Sequence, residues 1–261
     1  MKIHFYKYQA TGNDFVLIDN RASGYSFSTE QIGQICNRRF GVGADGLMLI
    51  EKHPSLDFNL VYYNSDGSQS LCGNGSRAAV VMAATLGLMN HHTTFNAYDG
   101  AHEAELLGSN QVRLKMNDVT TVKKTGAEYF IHTGSPHHIR FVDDLNSYPV
   151  VEEGRKIRYS EAYAPSGTNA NFIQLMDENT IAVRTYERGV EDETFSCGTG
   201  VTAAALAASF HGYTSPVHIK VKGGELSVEF KGGPSVSIPA SFHDVFLIGP
   251  AKMVFQGDLE L

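Results

Sequence analysis

Hydrophobic and polar residues follow two patterns along the chain. Many short runs alternate in the manner of half-buried strands, beginning with Lys2–Tyr8 and Phe15–Asp19. Two longer runs, Cys72–Gly87 and Cys197–Gly212, are rich in alanine and apolar nearly all round. A helix of that composition is buried in a core, and a glycine just beyond its last turn is a natural stop. The pattern therefore predicts two buried helices that end at these terminal glycines, among many strands.

The two predicted helices are copies of one another. Aligned without a gap, both read C-G-x-G-x-x-A-A, with a further alanine at the twelfth position and a glycine at the sixteenth. Two strand-like runs precede each copy: Leu47–Glu51 and Phe58–Tyr63 before the first, Asn171–Met176 and Ile181–Tyr186 before the second. Self-similarity of this kind indicates a duplicated architecture.

Shorter strand-like runs fill much of the remaining chain, separated by Gly, Asn, Asp and Pro. They are Val112–Met116, Tyr129–His132, Ile139–Val142, Val217–Val221, Leu226–Phe230 and Val245–Ile248. We predict an α+β protein of two pseudo-symmetric domains, each a curved, mostly antiparallel sheet wrapped around one buried central helix, with a cleft between them. We place the boundary at Asn117 and Asp118, giving domains 1–117 and 118–250, and expect the tail, residues 251–261, to pack back on the first.

Composition and charge exclude several classes of protein. With 261 residues, 42% of them hydrophobic, the chain can bury a substantial core. A formal net charge of -7 argues against a nucleic-acid partner. The N-terminus has no apolar block typical of a secretory signal, and the longest apolar stretch, 78–89, is too short to span a bilayer. We therefore expect a cytoplasmic protein with neither nucleic-acid nor membrane partners, acting alone or as a homodimer.

Cysteine usage points to chemistry rather than to crosslinks. Cys36, Cys72 and Cys197 are an odd number without C-x-x-C spacing, so neither a disulfide framework nor a zinc knuckle is indicated. Cys72 and Cys197 each precede Gly-x-Gly at a predicted helix N-terminus, where free backbone N–H groups and the helix dipole stabilise a thiolate and also bind a carboxylate. Cys36 has no such context, and we interpret it as structural.

Two facing helix ends would place one sulfur on each side of a bound carbon, which is the geometry of a two-base racemase. One thiolate would remove the α-proton while the other thiol protonates the opposite face. Two other thiol chemistries remain open. A nucleophilic cysteine with a histidine partner would not need a duplicated second cysteine, and a redox pair normally has closely spaced thiols.

Two other signals carry less weight. Gly41–Gly46 fits the dinucleotide-binding pattern G-x-G-x-x-G, but it follows a helix-like stretch, Glu30–Asn37, and precedes a strand-like one, the reverse of that motif. The adjacent pairs His91-His92 and His137-His138 would point apart on regular structure, so we expect no metal site.

Eight short motifs occur along the chain. They are Thr11–Phe15, Arg39–Gly46, Asn64–Ser68, Cys72–Gly75, Pro136–His137, Asn169–Phe172, Tyr186–Gly189 and Cys197–Gly200. In these motifs, which come in the family's order, the sequence resembles the diaminopimelate epimerases over nearly its whole length. The resemblance implies interconversion of LL- and meso-2,6-diaminopimelate, a small-molecule amino-acid substrate, without pyridoxal phosphate, metal or other cofactor. It also implies a role in lysine and peptidoglycan-precursor synthesis.

The resemblance also implies roles for individual residues. Cys72 and Cys197 match the two acid/base residues. The positions that match donors to the reacting carboxylate are Gly73, Asn74, Gly198 and Thr199. Those that match the group holding the substrate are Asn13, Asn64, Asn169, Glu187 and Arg188. The fork of Arg188 suits a distal carboxylate, and asparagine side chains both donate and accept hydrogen bonds.

Two positions depart from the family's pattern, both in the region expected to hold the substrate. Ser135 stands where Asn is common, and Gly46 stands where some members have Gln. Two alternatives remain open beside the epimerase. One is a related racemase acting on proline or hydroxyproline, and the other is a non-catalytic amino-acid-binding or thiol-redox protein.

Overall fold

The computed structural model describes residues 2–177, 179–234 and 240–261. The chain divides into two compact units, residues 1–114 with 249–261, and residues 115–248. The first unit contains β1 Lys2–Ala10, β2 Asn13–Asp19, α1 Thr29–Cys36, β3 Gly46–Glu51, β4 Phe58–Asn64, α2 Gly73–Thr85, β5 His92–Ala97, β6 Gly100–Leu106 and β7 Gln111–Lys115. The second contains β8 Val122–Thr125, β9 Glu128–His132, β10 Pro136–Phe141, α3 Val150–Arg158, β11 Asn169–Leu175, β12 Thr180–Glu187, β13 Asp192–Thr194, α4 Gly198–Ala208, β14 Val217–Val221, β15 Gly224–Gly233 and β16 Ser241–Pro250. The last strand, β17 Lys252–Glu260, returns to the first unit.

The sheet of the first unit has the strand order β17-β1-β2-β3-β4-β5-β6-β7. The β2–β3 and β4–β5 pairs are parallel and the other neighbours are antiparallel. Parallel neighbours need a long crossover connection, and the two crossovers carry α1 and α2. The C-terminal tail, as β17, pairs with β1 along its length, from Lys2 opposite Glu260 to Gln9 opposite Lys252.

The sheet of the second unit repeats this pattern. Its order is β8-β9-β10-β11-β12-β14-β15-β16, with parallel pairing at β10–β11 and β12–β14 and antiparallel pairing between the other neighbours. The two crossovers again carry helices, α3 and α4, and β13 adds an antiparallel partner to β12. The predicted α+β class and the duplication are therefore confirmed strand by strand.

One buried helix fills the core of each unit. The helix α2 packs against β1 to β4, β6 and β17, and α4 packs against β9 to β12, β14 and β15. The small residues among the buried positions of both helices, chiefly glycine and alanine, let each sheet approach its helix closely. Gly87 after α2 and Gly212 after α4 adopt left-handed backbone with φ of 70° and 89°, so both predicted glycine stops are confirmed.

The outer face of each sheet is covered by a shorter helix. Ser28 begins α1 with a reciprocal capping box to Gln31, and Ile32 and Ile35 pack into the core over β2 and β3. In the second unit α3 packs against β11 and β12 through Val150 and Ile157. The central strand β3 is therefore buried on both faces, which explains its continuous apolar sequence.

Six of these elements were not predicted from the sequence: α3, β8, β13, β17, β5 and β6. Strands β5 and β6 together carry more polar than apolar residues, and their inward positions include a threonine, Thr93. Within the described part of the chain, no helix is both long and apolar enough to cross a membrane.

Candidate active site

Cys72 and Cys197 occupy the same position in the two units. Each is the N-cap of its unit's buried helix, with nearly identical extended backbone: φ -128° and ψ 106° at Cys72, φ -124° and ψ 111° at Cys197. The following glycines, Gly73 and Gly198, begin the helices and are buried. The first N–H groups of both helices therefore lie beside a thiol, as the duplicated motif predicts.

In the first unit, the Cys72 sulfur lies between a donor and an acceptor. The backbone N–H of Gly75 donates to Sγ at 3.4 Å, which favours a thiolate. The thiol donates to Oδ1 of Asn13 at 3.6 Å, which favours the protonated form. The same Asn13 oxygen accepts from Nδ2 of Asn74 at 3.3 Å. Asn13 therefore connects the predicted residues Cys72 and Asn74 by hydrogen bonds to both.

The amide of Asn74 is held from its other side by an arginine. Nη2 of Arg77 donates to Oδ1 of Asn74 at 3.1 Å and to Oγ1 of Thr11 at 3.3 Å. Arg77 is 0% exposed, and burial lowers its pKa to about 10, an effect that the neighbouring Cys72 thiolate opposes. The arginine therefore remains charged at neutral pH inside the protein.

Asn13 is anchored by a cluster of charges on its far side. Its Nδ2 donates to Asp45, whose other oxygen accepts from Arg38 at 2.7 Å. Arg38 also binds Asp14, which pairs with buried Lys7 at 2.6 Å. Burial raises the pKa of Asp14, but hydrogen bonds from Arg38 and Lys7 and their charges outweigh it and hold the pKa at about 2.

Asn64 is the last residue of β4. Its Nδ2 donates to side-chain oxygens of Ser68 and Ser70, at 3.0 and 3.2 Å, in the loop that leads to Cys72. Opposite Asn64 on β3 lies Gly46, and a Cβ there would meet the ring of Tyr62 at 2.4 Å. The aromatic ring thus takes the space that a side chain at position 46 would need, which accounts for one departure from the family's pattern.

In the second unit, the Cys197 sulfur lies 3.6 Å from the hydroxyl of Thr199. That hydroxyl is 3.0 Å from Oγ of Ser135 and 2.9 Å from Nε2 of His137. Oγ of Ser135 and Nε2 of His137 are also hydrogen-bonded to each other at 2.9 Å. Cys197 therefore borders a hydroxyl network, whereas Cys72 borders an amide network.

Asn171 orients His137. Its Nδ2 donates to the carbonyl of His138 at 3.0 Å and its Oδ1 accepts from Thr185 at 2.9 Å, so Nδ2 also faces Nδ1 of His137 at 3.1 Å. An acceptor at Nδ1 places the hydrogen of a neutral imidazole on Nε2, which then donates to the Ser135 and Thr199 hydroxyls. Burial lowers the pKa of His137 to about 3, so the ring is neutral. Thr199 can consequently direct its own hydrogen towards Cys197.

The remaining predicted residues extend this network. Asn169, the first residue of β11, donates to Oγ of Ser135 at 3.4 Å and accepts from the backbone N–H of Arg188 at 2.9 Å. The guanidinium of Arg188 donates to the carbonyl of Ser166 at 3.2 Å. Glu187, the last residue of β12, is half-buried beside it. The structure therefore links Thr199, Asn169 and Arg188 through Ser135.

The described residues contain no group of three or more His, Cys, Asp or Glu side chains arranged to hold a metal ion. Within each unit, a thiol at a helix N-terminus is surrounded instead by amide and hydroxyl groups. Such a set can exchange a proton at sulfur and bind a carboxylate on backbone N–H groups.

Comparisons with known proteins agree with this arrangement. A family model described as diaminopimelate epimerase matches residues 5–122 and 129–239. The chain is 47% identical to the diaminopimelate epimerase of Flavobacterium psychrophilum, over 96% of this chain and 98% of that protein. It is 40% identical to that of Chlorobaculum tepidum, with the same coverage. The chain belongs to the diaminopimelate epimerase family.

Solved structures show that the epimerase fold is shared more widely. A phenazine biosynthesis protein of the PhzF family from Bacillus anthracis superposes with a TM-score of 0.78 over 100% of both chains, at 13% identity. A hydroxyproline epimerase from Agrobacterium vitis superposes with a TM-score of 0.69 over 100% of this chain and 93% of that one, also at 13% identity. At these identities the likeness shows the fold alone.

Several residues of these networks were given no role from the sequence, among them His137, Asn171 and Arg77. His137 and Asn171 lie inside motifs that carry the epimerase resemblance, but no role was assigned to either. Arg77 could have been identified from the sequence because it is the only charged residue in α2. A charged side chain on a helix otherwise apolar nearly all round has either a buried partner or a functional reason to be there.

Proposed function

We propose that the protein is a cofactor-independent epimerase that interconverts LL- and meso-2,6-diaminopimelate, with Cys72 and Cys197 as its acid/base pair. The observation that carries this proposal is that both cysteines cap buried helices with the same backbone conformation in two units of the same topology. Family membership supports the substrate, and with it a place in lysine and peptidoglycan-precursor synthesis.

The reaction needs one proton removed and one delivered at the same α-carbon. In one direction, a cysteine thiolate takes the α-proton and becomes a thiol, and the electron pair left on carbon delocalises into the carboxylate. The second cysteine, as a thiol, protonates the opposite face and becomes a thiolate. The reverse direction exchanges their roles, so no net proton is consumed.

The carboxylate that gains charge must be met by donors already in place. We assign this task to the first N–H groups of the two helices, from Gly73, Asn74, Gly198 and Thr199. Asn13, Asn64, Asn169, Glu187 and Arg188 would hold the rest of the substrate. Arg188 suits the distal carboxylate, and Glu187 the ammonium groups.

The third cysteine provides a matched control. Cys36, the last residue of α1, is buried in the core, and burial raises the pKa of its thiol to about 11. It therefore remains protonated at neutral pH and cannot serve as the base.

The test is proton NMR of LL-diaminopimelate in deuterium oxide with reduced protein. The wild type should exchange the α-proton and form the meso isomer. Cys72→Ala and Cys197→Ala should each lower turnover by roughly 100-fold or more, the usual contribution of a positioned acid or base. Cys36→Ala should keep its activity.

Other outcomes distinguish the alternatives. Exchange of proline or hydroxyproline but not diaminopimelate would overturn the substrate and keep the mechanism. Binding without exchange of any amino acid, or reversible thiol oxidation as the sole activity, would overturn the enzyme itself. Full activity in either the Cys72→Ala or the Cys197→Ala variant would overturn the two-base assignment.

A further inference from the structure

Arg77 is a buried cation without an acidic partner. It is 0% exposed, and no carboxylate among the described residues forms an ion pair with it. Its Nη2 bonds Thr11 and Asn74, whereas Nε and Nη1 have no hydrogen-bond partner within the described part of the chain. Burying a guanidinium in this way costs stability, so its presence calls for a reason other than folding.

A chain of hydrogen bonds through Asn74 and Asn13 connects Arg77 to the Cys72 thiol. Its guanidinium fixes Oδ1 of Asn74, which turns Nδ2 of Asn74 towards Asn13 at 3.3 Å. Asn13 in turn presents Oδ1 to the sulfur at 3.6 Å. Because the amide oxygen of Asn13 favours the protonated thiol, a nearby cation would add to the Gly75 N–H in favouring the thiolate.

Other charges on this side of the unit compensate one another. The cluster beyond Asn13 has two cations and two carboxylates in mutual contact, namely Lys7, Arg38, Asp14 and Asp45. Its net charge is therefore zero. Arg77, on α2 itself, is the cation near Cys72 that no carboxylate of the described residues neutralises.

The surroundings of Cys197 in the second unit differ from those of Cys72. The position that corresponds to Arg77 in the duplicated motif is Thr202, whose hydroxyl donates to the carbonyl of Gly198 at 2.9 Å. There the cysteine faces the Thr199 hydroxyl. A hydroxyl can donate to a thiolate, so Thr199 offers Cys197 a neutral source of stabilisation.

We propose that Arg77 is a positioning residue for Cys72, which fixes the Asn74–Asn13 amide pair and supplies the positive charge that stabilises the Cys72 thiolate. This inference rests on the proposed function, in which Cys72 alternates between thiolate and thiol. It assigns the two cysteines different means of ionisation within one duplicated fold.

The test measures thiol reactivity without substrate, so its result does not depend on epimerase activity. The folded protein is alkylated with iodoacetamide across a pH series, and modification of each cysteine is followed by peptide mass spectrometry. In Arg77→Met we expect the pH of half-maximal reactivity of Cys72 to rise by roughly one unit or more, the usual effect of losing a nearby opposite charge. Cys197 should keep its profile.

Three further variants separate charge, hydrogen bonding and folding. Arg77→Lys retains the charge and should restore most of the Cys72 profile. Arg77→Gln retains an amide donor without charge and should behave like Arg77→Met, which keeps the test available if the methionine variant does not fold. Thr202→Val, at the corresponding position of α4, should leave the Cys72 profile unchanged.

The accompanying kinetic signature is a fall in kcat of about tenfold or more for the uncharged variants, with KM for diaminopimelate changed less than kcat. An unchanged Cys72 profile in a folded Arg77→Met or Arg77→Gln protein would overturn the proposal. Equal shifts at Cys72 and Cys197 would also overturn it, because they would indicate general loosening. If the wild type does not epimerise diaminopimelate but the Cys72 profile shifts as expected, the proposed function fails and the role of Arg77 stands.

Discussion

Gly200 is the third residue of α4, and a side chain there would press on the Cys197 thiol and on its supporting network. A Cβ at this position would lie 2.5 Å from Oδ1 of Asn171 and 3.3 Å from Sγ of Cys197. Asn171 cannot turn aside freely, since both ends of its amide are hydrogen-bonded to buried groups, among them Thr185 at 2.9 Å. Gly200→Ala should therefore displace Asn171 and the thiol together.

The expected loss of stability follows from three contributions. Overpacking costs roughly 1–3 kcal/mol, and leaving the buried Thr185 hydroxyl without its acceptor costs about 1–3 kcal/mol. Replacing glycine by alanine in a helix returns about 1 kcal/mol. We therefore expect Gly200→Ala to lower the free energy of unfolding by about 3 kcal/mol, together with a large loss of epimerase activity.

The duplicated fold supplies the matched control. Gly75 holds the corresponding position in α2, but a Cβ there would meet Cε of Met48 at 1.8 Å, the far end of a flexible side chain. Because methionine adapts easily, Gly75→Ala should cost less than Gly200→Ala. Urea unfolding of both variants measures the difference. Equal destabilisation, or a Gly200→Ala protein as stable as the wild type, would refute the view that the Asn171 network is rigid.

Two further predictions concern pH. Burial lowers the pKa of His137 to about 3 from 6.5, so between these values the unfolded chain binds more protons than the folded protein. The free energy of unfolding should therefore fall as pH drops from about 6.5 towards 3. In His137→Leu, urea unfolding should show a weaker dependence of stability on pH, and an unchanged dependence would contradict the assignment. The lowered pKa of Asp14, about 2 against 3.8, means that its carboxylate stabilises the fold above about 3.8 and loses this effect as pH falls through 2. Asp14→Asn should therefore cost about 3 kcal/mol at pH 7, because buried Lys7 loses its partner, and the deficit should narrow in acid; a constant deficit would count against the pairing.

The sequence predicts the parts of this fold that depend on local pattern. Alternating apolar residues mark most of the strands, and the two alanine-rich runs mark α2 and α4 with their glycine stops. The helix α3 was missed although Val150, Gly154 and Ile157 follow helical spacing, because nine residues containing a glycine and following a proline make a weak signal. Strands β5 and β6 were missed because tertiary packing rather than composition buries them.

The candidate site shows the same difference between residues that local pattern predicts and residues that depend on tertiary packing. Its predicted members lie at the ends of strands and helices, where short motifs place them. The residues that were missed act through partners far away in the sequence, as Arg77 does with Thr11, 66 positions before it. No local pattern distinguishes an arginine that meets such a partner inside the protein from one that faces solvent, because burial depends on the whole fold.

The β1–β17 pairing means that the sheet of the first unit contains both the first and the last strand of the described residues. Residues 115–248 are, in effect, inserted into it, so during synthesis they leave the ribosome before the first unit can finish its sheet. Until the last residues emerge, β1 keeps an unpaired edge, which is the kind of surface that recruits strands from other chains. The order of synthesis thus favours completion of the Cys197 half before the Cys72 half, and a chain that stopped before β17 would leave the edge of β1 exposed.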